Sequence, residues 1–130
     1  MDNKKMHGDN ANYTMKIEFL NEDQCCSIIL VDFMNERVEV TNLTDNLILR
    51  AFGVAEKPSW DDFMYFLEER CIPKERFQIK KILRDLELEQ YDLIRILQKT
   101  EGRTKEDEMW LRFTYIGEAD NYCDNLPNSL

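Results

Sequence analysis

The hydrophobic period of this chain changes once, near residue 44, and that change limits the folds open to it. Upstream, Tyr13, Met15, Ile17 and Phe19 alternate with Thr14, Lys16 and Glu18. Apolar residues every second position share one face of an extended strand, so this segment reads as a half-buried β-strand. Cys26 to Phe33 is a second, more continuously apolar strand, and Met34-Asn35-Glu36 follows as a turn. Arg37 to Thr41 alternates again, with Val38 and Val40 inward and Arg37, Glu39 and Thr41 outward. Together these segments predict an antiparallel meander with one buried face.

Downstream the apolar residues follow helical spacing. Thr44 or Asp45 can cap a short helix carrying Leu47, Ile48, Ala51 and Phe52, ended by Gly53. Ser59 is a sharper start signal, with Asp61 and Asp62 where the helix dipole favours anions. Trp60, Phe63, Met64 and Leu67 then form one stripe. Pro73 stops this helix and can open the next, expected over 74–86 with Ile79, Ile82, Leu83 and Leu86 inward. A further helix is expected over 92–99, broken by Gly102, and Thr104 can cap a last turn. Trp110 to Tyr115 fits either a helix end or a closing strand. Strands followed by helices predict an α+β fold, an N-terminal antiparallel β-meander packed against a C-terminal cluster of short helices.

At 130 residues the chain is sized for one domain. The expected organisation is a mobile stretch at 1–12, a single domain at 13–116 (strands 13–43, helical cluster 44–116) and a loose tail at 117–130. The start, MDNKKMHGDNAN, lacks the apolar core of a secretory signal. The longest apolar run, Phe63 to Leu67, is far short of the roughly 20 residues a membrane span needs. These features predict a cytoplasmic protein that does not engage membranes.

The formal net charge is −9, unevenly spread: −5 over residues 1–46, zero over 47–100 and −4 over 101–130. Acidity argues against direct nucleic-acid binding, which needs clustered Lys and Arg against phosphate. It permits competition with nucleic acid for a basic protein surface, and it also serves solubility alone.

Sites for covalent chemistry are hard to assemble. The one histidine, His7, lies in the polar start, where nothing holds a general base still. The glycines are isolated, and neither GxxxxGK[ST] nor GxGxxG occurs. Cys25, Cys26, Cys71 and Cys123 lack the CxxC spacing of a zinc knuckle, so reduced thiols are the default expectation, and a zinc site on all four thiolates, or on three and His7, stays open only if the fold gathers them. Cys25 and Cys26 are adjacent, so at most one can face the core. The carboxylate groups Asp61-Asp62, Glu68-Glu69 and Glu106-Asp107-Glu108 suit capping and solvation. The expectation is a non-enzymatic chain with no cofactor and no metal.

Two charged constellations remain as candidate partner-binding sites. Asp32, Glu36 and Glu39 surround one turn. Residues two apart on a strand sit roughly 6.6 Å from each other, comparable to a phosphate step, so these carboxylates can imitate a nucleic-acid backbone. Protection of a sheet edge by charge accounts for the same residues. Arg76, Lys80 and Arg84, four apart, form a basic edge on the expected 74–86 helix. That edge suits an acidic partner or a phosphate, or simply solvent.

From residue 44 to 113 the chain resembles small proteins of Firmicutes and their mobile elements, and a segment upstream of the kinase domain in HipA-like toxin kinases. The likeness is carried by the AFG element at 51–53, by W-D-D-F followed by F-L-E-E-R-C-I-P-x-x-R up to Arg76, and by L-x-x-T-x-G-R-x-x-E-D-x-x-W, which ends at Asp107 and Trp110. It covers about half the chain and contains no kinase domain. It implies a cytosolic bacterial accessory module near toxin–antitoxin or phage-defence genes. Physically, Pro73 fixes a corner from which Arg70 and Arg76 project, with Asp107 as a counter-ion and Trp110 as a seal. Such a corner works as a structural salt bridge or as an arginine site for an acidic ligand.

The leading expectation is therefore an acidic inhibitor or regulator of a larger nucleic-acid-handling protein or nucleoprotein, of the anti-CRISPR kind. The alternative is a toxin–antitoxin accessory that binds a toxin kinase or an ADP-ribosylating toxin. A small hydrolase or transferase would require an ordered His7 or clustered cysteines. Oligomeric state is not specified by the sequence.

Overall fold

The computed structural model describes residues 13–116. The expected mobile start at 1–12 and loose tail at 117–130, with His7 and Cys123, lie outside the described residues. The elements are β1 (Met15–Asn21), β2 (Gln24–Asp32), β3 (Arg37–Asn42), a 3-10 turn (Leu47–Leu49), α1 (Trp60–Glu69), α2 (Ile79–Asp85), α3 (Leu93–Thr100) and β4 (Met109–Tyr115). The fold is α+β.

The strands form one antiparallel sheet in the order β3-β2-β1-β4. The ambiguous segment after Trp110 is a strand, and it pairs along the free edge of β1, Met15 opposite Tyr115 and Asn21 opposite Met109. The second half of the chain is thus not purely helical.

Alternation becomes packing through the register. Val40, Ile29, Ile17 and Phe113 lie opposite one another across all four strands. Val38, Val31 and Met15 form the row beside it. Ile17, Ile29 and Val31 are fully buried. A third row holds Asn42, Ser27, Phe19 and Leu111. Its buried Ser27 donates to Asn42 Oδ1 at 3.1 Å and accepts from the Ala51 amide at 3.1 Å, which satisfies a hydroxyl that burial would otherwise penalise. Cys26 is in the core and Cys25 is not, as adjacency on a strand requires.

Helix α1 closes this face. Ser59 Oγ accepts from the Asp62 amide and Asp62 Oδ2 accepts from the Ser59 amide, both at 3.0 Å, a reciprocal capping box. Phe63 and Leu67 enter the core, and Phe33 meets Trp60 edge-on at 5.8 Å. Helix α3, capped by Asp92 through the Arg95 amide, bridges two clusters. Leu97 joins the sheet core, while Ile96 packs with Leu83 and Leu88.

Two expected helices are shorter than their patterns suggest. Asn46, not Thr44 or Asp45, caps the 47–49 segment, which makes only a 3-10 turn. The 74–86 helix begins only at Ile79. Pro73 opens a separate turn, closed by the Arg76 amide on its carbonyl at 3.0 Å, and Gln78 is left-handed with φ 59°. Residues 74–78 are all exposed and bury no apolar side chain, so packing does not hold them in a helix. Thr104 accepts from the Glu106 amide in a bend and starts no helical turn.

Candidate functional site

The corner expected around Arg70 is a lock. Its guanidinium grips Asp107 bidentately, Nη2 to Oδ1 at 2.9 Å and Nη1 to Oδ2 at 3.2 Å. Nε donates to the Gly102 carbonyl at 2.8 Å and Nη2 to the Met109 carbonyl at 3.1 Å. The group lies over the Phe19 ring, 5.2 Å from its centroid, and the side chain is 9% exposed. The hydrogen bonds from Arg70 hold the Asp107 carboxyl below its ordinary value of 3.8 against the opposing effect of burial. Fork geometry of this kind orients both partners. The arginine ties the end of α1 to the loop before β4, so Asp107 is its counter-ion and neither group is free for a ligand.

Trp110, expected as the seal of this corner, makes its contacts elsewhere. Its Nε1 donates to the Glu22 carbonyl in the β1–β2 turn, and its ring carries Arg103 at 4.9 Å and Arg112 at 5.7 Å.

The acidic row around the β2–β3 turn separates into unlike parts. Asp32 is 2% exposed. It accepts from the Asn35 amide at 3.1 Å, from Asn35 Nδ2 at 2.8 Å and from Arg37 Nε at 3.4 Å. Burial opposes its ionisation, but the hydrogen bonds from Asn35 and Arg37 outweigh it, so its pKa lies below the usual carboxylate value. Asp32 is thus a turn-former and cannot present charge to a partner. Glu36 and Glu39 are exposed, Glu36 at a left-handed turn position with φ 54°. Glu39 is near Tyr13, whose hydroxyl pKa is raised by burial first and by Glu39 next.

The expected three-cation edge is also redrawn. Arg76 lies in the turn before α2, off the helix that carries Lys80 and Arg84. Lys80 and Arg84 instead share a hollow with Lys74.

Sequence reasoning missed an apolar groove of about 680 Å³ between the 48–55 segment, α1 and the 104–109 loop. Three packed rings line it: Phe66 lies 5.1 Å from Phe19 and 5.3 Å from Phe52. At its mouth Ile48 is 89% and Tyr65 64% exposed. Asp62, Glu69, Glu106 and Asp107 stand on the lining with two cations, Arg50 and Arg70. Arg70 is answered by Asp107, and Arg50 donates to the Thr44 carbonyl at 2.8 Å and faces Asp45 at 3.8 Å. The unmatched charge on the rim is therefore negative. Exposed Ile48 was the available signal, since a short helix of expected apolar face has no second layer to bury it. The rings come from positions 19, 52 and 66, and only the fold brings them together.

No cluster of three or more potential metal ligands occurs among the described residues. Cys71 lies 3.6 Å from the Tyr91 hydroxyl, and burial pushes its thiol pKa up. Burial likewise raises that of Cys25. A raised pKa keeps a thiol protonated and weakly nucleophilic. No described helix is long and apolar enough to cross a membrane. No family model, curated protein or solved structure matches the chain.

Proposed function

We propose that this chain is a non-enzymatic binding protein that inhibits or regulates a larger nucleic-acid-handling protein, and that the aromatic groove is its contact surface. The single supporting observation is the groove itself, an aromatic floor under an acidic rim in a chain of net charge −9. A concave apolar surface with a few polar groups on its rim suits an anchoring side chain from a partner. The rim favours basic residues around that anchor, and the overall charge steers the encounter. Arginine- and lysine-rich surfaces that handle nucleic acid supply both, which keeps an anti-CRISPR-like inhibitor as the leading reading. In this reading the contact lies at the groove, and Glu36 and Glu39 contribute only to the long-range field.

One observation favours the second reading. Apart from Phe19, the groove lining falls within 44–113, the stretch that resembles the segment upstream of toxin kinases. A toxin kinase or an ADP-ribosylating toxin would dock on the same surface.

The test is recovery of the tagged chain from its native host, followed by affinity measurement on the purified pair. The expected partner is a nucleic-acid-handling protein whose affinity falls at least about tenfold between about 50 and 500 mM salt, as screened charges require. Ile48→Glu with Tyr65→Glu is expected to abolish the complex, and Glu36→Lys with Glu39→Lys to weaken it only slightly. A toxin captured through the groove selects the second reading. Binding that ignores salt and survives the groove variant overturns both.

A further inference from the structure

A second hollow has the opposite electrostatics. It lies between α2 and the 87–91 turn, with a volume of about 650 Å³. Lys74, Lys80 and Arg84 line it, against a single carboxylate, Glu89. Lys80 and Arg84 stand four apart on one helix, where like charges repel. Neither makes an ion pair among the described residues, whereas the neighbouring Lys81 is paired with Asp85 at 3.5 Å. Lys74 reaches over the Tyr91 ring at 5.8 Å, and the Tyr91 hydroxyl is fixed by donation to the Ile72 carbonyl at 2.7 Å. Below the cations the lining is apolar, with Leu83 and Leu88 buried and Ile79 half-buried.

We infer that this cleft is a second docking site that takes an acidic segment of a partner protein. Its carboxylates would face Lys74, Lys80 and Arg84, and an apolar side chain between them would pack on the half-buried Ile79 and Tyr91 above Leu83 and Leu88. Charge complementarity selects the sign, because three cations converge on one hollow of a strongly acidic chain. The apolar floor selects a peptide over a compact anion, which would leave that floor bare. Three cations in one hollow are too few and too localised for nucleic acid, whose extended phosphate backbone needs a run of clustered Lys and Arg. The groove and this cleft differ in demand: the groove asks for basic residues and the cleft for acidic ones. The inference stands on its own residues and does not require the groove to be functional.

The test is a ¹H–¹⁵N NMR titration of the full chain with a synthetic peptide of about a dozen residues in which Asp and Glu alternate with Leu and Phe. A peptide with the acids replaced by Lys, and inorganic phosphate, serve as parallel probes. Saturating shifts are expected at the amides of Lys80, Arg84, Leu88 and Tyr91. Lys80→Glu with Arg84→Glu is expected to weaken the acidic peptide by at least about tenfold, as loss of complementary charge at an interface does. Lys74→Glu, which lies outside the helix, is expected to weaken it too should the double variant disturb α2. Ile48→Glu with Tyr65→Glu is expected to leave it unchanged. The inference fails if the acidic peptide does not bind at millimolar concentration, if charge reversal leaves its affinity unchanged, or if it shifts the groove instead. It also fails if inorganic phosphate moves the same amides with similar affinity, which would mark a simple anion site.

Discussion

Arg70 and Arg76 flank Pro73 and belong to one sequence motif, yet the fold uses them in opposite ways. Arg70 donates to Gly102, to Met109 and twice to Asp107, and it is nearly buried against Phe19. Arg76 is exposed in a turn that precedes α2. The difference lies in what surrounds each guanidinium. Arg70 projects from the end of α1 toward carbonyls released where α3 ends and β4 begins, so its desolvation is offset by hydrogen bonds. Arg76 meets no such set. A charged residue in a motif can thus be a fastener and not a contact, and docking surfaces are better sought where charge lacks a partner. By that criterion the rim of the groove and the cations near α2 qualify, and the Arg70 corner does not.

Breaking the lock should give the largest effect. Arg70→Ala leaves the Gly102 and Met109 carbonyls without their donor, at about 1–3 kcal/mol each, while the Asp107 carboxylate, 40% exposed, is rehydrated and adds little. Chemical denaturation measures it, and a loss under about 1 kcal/mol would mean that the corner is held by its apolar contacts instead. Gly102→Ala should come next. Gly102 has φ +61°, and a Cβ there would sit 2.7 Å from Leu111 Cδ1. Strain and overpacking together predict a loss of about 2–3 kcal/mol. The same change at Gly53, φ +58° with nothing within 4 Å, should cost about 1 kcal/mol from the backbone alone. The gap between the two glycines isolates the contact that carries the carbonyl Arg70 grips.

The pH dependence sharpens the comparison further. Arg70 depresses the Asp107 pKa in the folded state, so near its ordinary value of 3.8 the unfolded chain binds more protons than the folded one. The stabilisation is therefore complete above that ordinary value and is lost as pH falls through the folded pKa. Asp107→Asn should cost about 1 kcal/mol near neutrality, since one charge-assisted hydrogen-bonded pair becomes neutral on one side. The deficit relative to wild type should shrink as pH drops below about 4. A deficit that stayed constant from neutral to acid pH would separate the stability of the corner from its charge. Glu18, whose pKa is lowered chiefly by the Arg112 hydrogen bond, titrates in the same direction and belongs in the same measurement as a background common to both proteins.

Much of this architecture is legible in the sequence because it rests on local rules. Period-two alternation marked β1 and β3 and a more continuous apolar run marked β2, and a one-residue slip would turn Ile17 or Ile29 to solvent. Ser59 and Asp62 are three apart, so their capping box is a property of the chain itself. What local rules left open was settled by distant partners. Trp110 to Tyr115 fits two periods until the free edge of β1 selects the strand. Residues 74–78 are tolerable helix formers, and with nothing to pack on they stay outside the helix, which starts at Ile79. Asp32 reads as a surface charge, but Asn35 and Arg37, three and five residues on, draw it into the turn. The groove is the extreme case, because Phe19 and Phe66 come from different elements and no sequence period links them.

Arg76→Ala closes the series with the smallest expected effect. The side chain is exposed and makes no ion pair among the described residues, while the turn it occupies is held by its backbone amide on the Pro73 carbonyl. Substitutions at such positions fall within about ±0.5 kcal/mol. Side-by-side denaturation of the Arg76→Ala and Arg70→Ala proteins therefore measures the whole difference between a contact-ready and a structural arginine in one motif. A loss of more than about 1 kcal/mol at Arg76 would show that residues 74–78 are held by their side chains. The entry to the basic cleft, where Lys74 sits, would then be a rigid part of the fold and not an exposed turn.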